Sequence, residues 1–260
     1  MQIACMMHNF GEVPLAEVCR LIAGMGYDGV EACALKGGYK YVDLDASPGP
    51  QMRVIADAGL SCRGLSVHCE MLKDPEAVAY LKKAARWAKD AGIPTIVTGE
   101  GWKAESLSVE EAFERAREAV LEVVEECAKC GVHFAMEPHG TFSLDPDGLA
   151  RLMSVSSSPY YVVNYDVGNL AGHSGVRNAD LLPRFIARVG WVHIKDSARG
   201  SDGRRRTVDI GAGNMDIAWC VEFLRKSGYA GVIAAEILGH DDAVGSSRRA
   251  QEYLRGLVEA

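Results

Sequence analysis

A chain of 260 residues, 48% hydrophobic and 24% charged, has the length and apolar content for a sizeable folded core. Its formal net charge of −7 argues against nucleic acid or an anionic membrane surface as a partner. No apolar run approaches the roughly 20 residues of a membrane span, and the opening MQIACMMHNF lacks the basic region and cleavage pattern of a secretory leader.

In chain order the pattern predicts a strand at Gln2–His8, a helix at Pro14–Met25, a strand at Gly29–Cys33 and a helix at Pro48–Ala58. Next come a strand at Ser61–His68, a helix at Pro75–Ala91, a strand at Thr95–Glu100 and a helix at Val109–Lys129. The second half continues with a strand at Val132–Pro138, a helix at Pro146–Val155, a strand at Tyr161–Asp166 and a helix at Ala179–Ala187. It ends with a strand at Trp191–Asp196, a helix at Asp216–Ser227, a strand at Gly231–Ile237 and a helix at Asp241–Val258. Proline opens several of these helices, where its missing N–H costs nothing, and glycine follows others, as at Gly92, Gly131 and Gly228.

Eight strands alternating with eight helices call for parallel pairing with right-handed crossovers. The fold class expected is α/β, a single (β/α)8 TIM barrel forming one domain over residues 1–260. An open doubly wound sheet would need a phosphate-binding glycine turn after its first strand, and His8-Asn9-Phe10-Gly11-Glu12 is not one. The longest irregular stretch, Ser197–Met215, reads as a functional loop. The eight cysteines (Cys5, Cys19, Cys33, Cys62, Cys69, Cys127, Cys130 and Cys220) read as free thiols of a cytoplasmic protein, not as a disulfide framework. Cys127 and Cys130 have redox spacing but stand at a helix C-terminus, where thiolates are not stabilised.

Active sites in such barrels lie at the C-terminal ends of the strands. Those ends carry His8, Glu31, His68, Glu100, Glu137, Asp166, His193 and Glu236, nearly one ionisable residue per strand. A single strand-end carboxylate is more often a cap or loop anchor. Glu137, Asp166, His193 and Glu236, however, fall on the last four strands, which are neighbours around half the mouth. Three carboxylates and one imidazole suit one hard or borderline divalent ion, Mn²⁺ favoured, with Mg²⁺, Co²⁺ or Zn²⁺ as alternatives.

Several motifs add to this: Gly26-Tyr27-Asp28-Gly29-Val30-Glu31, Glu137-Pro138-His139, Asp166-Val167-Gly168-Asn169, His193-Ile194-Lys195-Asp196 and Gly211-Ala212-Gly213-Asn214-Met215-Asp216. With them the chain resembles the sugar phosphate isomerase/epimerase family of the xylose-isomerase-like barrel superfamily. The resemblance implies that Glu137, Asp166, His193 and Glu236 are metal ligands and that Glu137 and Glu236 also move the proton. It further implies that Arg199, six residues beyond His193, contacts substrate oxygens. Asn169, a further candidate substrate contact, stands where ketose epimerases commonly carry histidine.

His68 and His139 are candidate substrate contacts, weighed against buried hydrogen-bonded histidines. Lys195 shares the His193 side of its strand, where it would polarise a carbonyl or pair with a substrate oxygen, weighed against an ion pair with Glu137 or Asp166. Trp102 reads as a stacking ring or a packing lid, and Arg204-Arg205-Arg206 as a solvated loop in preference to a phosphate or carboxylate site. The reaction expected on a small sugar or keto-sugar is isomerisation or epimerisation. It would run through an enediolate, formed by proton abstraction next to a metal-bound carbonyl. The alternatives are a lyase acting on a keto-sugar or inosose, and a sugar-binding protein without turnover. Homo-oligomerisation stays open.

Overall fold

Strand-forming runs that end in polar residues, each followed by an amphipathic helix, can bury both sheet faces only by winding helices around a parallel sheet. The computed structural model describes every residue of the chain except 238 and 240. It contains β1 (Gln2–Met6), β2 (Gly29–Cys33), β3 (Ser61–Ser66), β4 (Thr95–Thr98), β5 (His133–Met136), β6 (Tyr161–Asp166) and β7 (Val189–Ile194). A short antiparallel pair follows, β8 (Asp196–Arg199) and β9 (Arg205–Val208), and then β10 (Val232–Ala235). All but that pair close into a parallel barrel in the order β1-β10-β7-β6-β5-β4-β3-β2.

The surrounding helices are α1 (Leu15–Ala23), α2 (Pro48–Asp57), α3 (Ala77–Ala91), α4 (Val109–Cys130) and α5 (Pro146–Met153). The remainder are α6 (Asn169–Ser174), α7 (Asn178–Phe185), α8 (Ile217–Lys226) and α9 (Ala243–Glu259). Their ends follow local chemistry. Ser108 and Glu111 form a reciprocal capping box at the start of α4. Gly92 and Gly131 end α3 and α4 in the left-handed region, at φ 71° and 70°. The inner face of α3 presents Leu81, Ala84, Ala85 and Ala88, the spacing of one buried helical stripe.

Alternation along the strands separates two apolar layers. Ile3, Cys5, Val192 and Ile194 face the helices within the main core. Ala4, Met6, Val97, Ala135, Trp191 and Ala234 pack together as a separate interior cluster, in which alanines leave room for the one large indole. The expected barrel is confirmed, with one local difference: most of the β8–β9 hairpin falls in the stretch Ser197–Met215 that read as irregular. All eight cysteines are free.

Candidate metal centre

Barrel register brings the four strand-end residues to one level. Asp166, the last residue of β6, pairs with His193 of β7. Glu137 and Glu236 stand one residue beyond β5 and β10, and each continues a ladder, its N–H donating to Thr98 O and Ile194 O at 2.9 Å. All four are buried. Each offers a ligand atom lying within 4.8 Å of the others, a spread that one ion can bridge. Two of the oxygens, Asp166 Oδ2 and Glu236 Oε2, are buried without a hydrogen-bond donor. Such lone pairs are costly unless a cation takes them, so the donor set fits a divalent ion.

The profile of the xylose isomerase-like TIM barrel family matches residues 19–257. The chain belongs to that family. A segment of 185 residues is 26% identical to the uncharacterized protein MJ1311 of Methanocaldococcus jannaschii, and it spans 68% of this chain and 62% of that relative. The structure superposes on an L-ribulose 3-epimerase with a TM-score of 0.81 at 17% identity, covering 99% of this chain and 94% of the other. It superposes on the IolI protein with a bound zinc atom at a TM-score of 0.80 and 15% identity, covering 100% and 98%. At these identities the likeness is one of fold.

Beneath the four residues lies a buried support that spacing along the sequence does not reveal. Glu31, inside β2, accepts from Trp191 Nε1 at 2.8 Å and meets His193 Nε2 at 2.9 Å. This fixes the imidazole so that Nδ1 faces two of the candidate ligand residues, 3.2 Å from Glu137 Oε2 and 3.6 Å from Glu236 Oε2. Asn164 of β6 donates to Glu137 Oε2 at 3.1 Å and lies 3.0 Å from His193 Nδ1. Glu31 stands among the ionisable strand-end residues, but its position in sequence gives it no role. Asn164 carries the one signal that points to this support, a polar side chain buried within a strand.

A chain of contacts joins the two glutamates. Asn169 Nδ2 donates to Glu137 Oε1 at 3.2 Å, Lys195 Nζ donates to Asn169 Oδ1 at 3.1 Å, and Lys195 Nζ lies 2.7 Å from Glu236 Oε1. Lys195 therefore pairs with Glu236 at short range and stands 3.6 Å from Asp166. Its direct contact with Glu137, one of the two pairings expected, is replaced by the Asn169 bridge.

The charges are strongly perturbed. Burial alone would raise the Glu137 carboxyl, but the neighbouring His193 and His68 outweigh it and hold it well below the usual range. Burial opposes charge on His193, yet Glu31 and Glu137 push its pKa well up. Asp166 is raised to about 6 by burial, with Lys195 opposing and Glu236 and Glu137 adding. Burial opposes charge on Lys195 as well, but Glu236 and Asp166 raise it further.

A cavity of about 420 Å³ opens above the cluster, and both Glu137 and Glu236 line it together with His8, Ser66, His68 and His139. His68 Nε2 lies 3.1 Å from Glu137 Oε2, and His139 stands exposed with Nδ1 3.9 Å from Glu137 Oε1. Arg199 is not brought to the cluster: it is exposed on the hairpin, its guanidinium donating to Gly203 O. Glu100 serves the neighbouring loop. Buried, it accepts from the N–H groups of Phe142 and Ser143 and from Ser143 Oγ, anchoring the chain just after His139.

Proposed function

We propose that the protein is a divalent-metal-dependent isomerase or epimerase of a sugar or keto-sugar, working as one catalytic unit. The carrying observation is that Glu137 and Glu236, at the ends of strands with two others between them, line one cavity directly over a cluster with two unsatisfied carboxylate oxygens. Glu137, Asp166, His193 and Glu236 would hold the ion, with Mn²⁺ favoured for three carboxylates and one imidazole. When bound, it would polarise the substrate carbonyl and stabilise negative charge developing on that oxygen.

The chain's own groups supply the rest. Glu137, kept ionised by His193 and His68, is the carboxylate that takes the proton from the carbon next to the carbonyl. Glu236 is the second proton carrier, its Oε1 held by Lys195 Nζ at 2.7 Å. Asn169 and Lys195 keep the pair at a fixed separation, and His68 and His139 offer ring nitrogens to substrate hydroxyls on the cavity wall. Return of the proton to the opposite face is epimerisation, and return to the neighbouring carbon is isomerisation.

The test follows solvent deuterium entering ketoses and aldoses by NMR, with Mn²⁺ added. Wild type incorporates label, and Glu137→Gln and Glu236→Gln each lose at least about a hundredfold in rate, the usual scale of a general base or acid. Label entering both variants at the wild-type rate would remove these glutamates from proton transfer. Loss of water from the substrate in the same tubes would identify a lyase.

A further inference from the structure

A second cavity, of about 360 Å³, lies beside the first and shares His139 with it. Trp102, Asn169, His173 and Arg205 supply its other polar and aromatic walls. Among the described residues no carboxylate lines it, whereas the inner cavity has Glu70, Glu137 and Glu236 in its walls. Asn169 connects the two, since it lines the outer cavity while donating to Glu137 Oε1 at 3.2 Å.

Arg205 sets this cavity apart. Its neighbour Arg206 is paired with Asp202 at 2.7 Å, and the distant Arg249 and Arg255 are paired with Asp209 and Asp28. Arg205 has no carboxylate partner among the described residues. Its Nη1 is pinned by neutral acceptors, Ser197 Oγ at 2.9 Å and Asn214 Oδ1 at 3.3 Å, while Nε is buried and meets no acceptor. The side chain lies over α6, where a Cβ on Gly172 would sit 3.4 Å from Arg205 Cδ. Across the hairpin Arg205 is paired in register with Arg199, so two cations stand opposite each other. A positioned, half-buried guanidinium that lines a cavity without carboxylates and has a like charge opposite is complementary to an oxygen anion, which a planar guanidinium fork binds at two points.

We propose that the outer cavity is the subsite for an anionic oxygen group, carboxylate or phosphate, at the end of the substrate remote from the reacting carbons, with Arg205 as its anchor. This rests on the sugar-directed reading of the glutamate site. It makes the natural substrate an acidic or phosphorylated sugar derivative whose reacting end occupies the inner cavity.

The test is calorimetric titration of the full chain with inorganic phosphate and with malonate at low salt. One of the two binds the wild type in a 1:1 ratio, and the tighter one tells phosphate from carboxylate. Arg205→Gln weakens that binding at least about tenfold, the scale of one charge-assisted hydrogen bond, while Arg206→Gln stays within about twofold. Arg205→Lys keeps the charge without the fork, and a severalfold loss in that variant supports the anchor equally should Arg205→Gln not fold. No binding of either anion to wild type, or binding that neither Arg205 variant weakens, overturns the proposal. Deuterium exchange into neutral D-fructose reads the inner site separately. Exchange without anion binding sinks the subsite alone, and Arg205-dependent anion binding without exchange from any sugar sinks the proton-transfer reading alone.

Discussion

Glu31 shows how much one side chain decides here. It carries a charge into the barrel interior, where an isolated carboxylate would cost several kcal/mol, and it is tolerated because an indole N–H and an imidazole converge on one of its oxygens. Its consequence is the orientation of His193, so its replacement acts through that candidate ligand. Glu31→Gln keeps the size but places an amide where two donors need an oxygen anion. Metal affinity is expected to fall about 10–100-fold, read by competitive titration with a chelating dye, while far-UV circular dichroism stays unchanged. Wild-type affinity in this variant would reduce Glu31 to a packing residue. Asn169 makes a related point: both ends of its amide are committed, to Glu137 and to Lys195, so it acts as a strut between them.

Among the elements, β3 limits what β7 can carry. Gly64 of β3 lies opposite Glu31, and a Cβ there would stand 2.7 Å from Trp191 Cζ2 and 3.3 Å from Glu31 Cγ. The absent side chain is the space the indole occupies. Gly64→Ala is expected to lower stability by about 1–3 kcal/mol through overpacking, measured by urea unfolding, and to weaken metal binding as Trp191 moves off Glu31. Full stability would show that the indole has room to shift. The helix ends, by contrast, are decided locally. The Ser108–Glu111 box and the glycines after α3 and α4 are readable as caps because capping depends on neighbours in sequence. The hairpin β8–β9 is not, since Asp196–Arg199 and Arg205–Val208 lack the alternation of a half-buried strand and are held by each other at the barrel mouth.

For the whole molecule, a polar cavity set into a closed barrel makes stability depend on pH. Burial lowers His8 from 6.5 to about 4, with the pull of Glu31 opposing. Between those values the unfolded chain binds a proton that the folded chain refuses, so this group subtracts stability as the pH falls from about 6.5 towards 4. Asp166, raised from 3.8 to about 6, acts in the other direction, because over that window the folded state of the metal-free protein holds the extra proton. Comparing metal-free wild type with His8→Gln isolates the histidine. Urea unfolding at pH 7, 5.5 and 4.5 should show the variant losing less stability on acidification. Parallel profiles would show that His8 is solvated enough to titrate normally.

Local order along the chain was sufficient to determine the barrel. Hydrophobic periods of two and 3.6, prolines and glycines at helix ends, and ionisable residues at strand ends are each properties of a few consecutive residues, and their repetition left one topology. The set Glu137, Asp166, His193 and Glu236 was legible for the same reason. Strand ends in a parallel barrel share one rim, so knowing that a residue ends a strand is nearly knowing where it is. Depth, facing and company were decided only by the closed structure. Glu31 meets His193 across 162 residues of chain, through the registers of β2 and β7. Lys195 reaches Glu236, and Arg205 instead of Arg199 faces a cavity, through the packing of loops from different strands. Such contacts depend on long-range register and side-chain volume, which no short window of sequence contains.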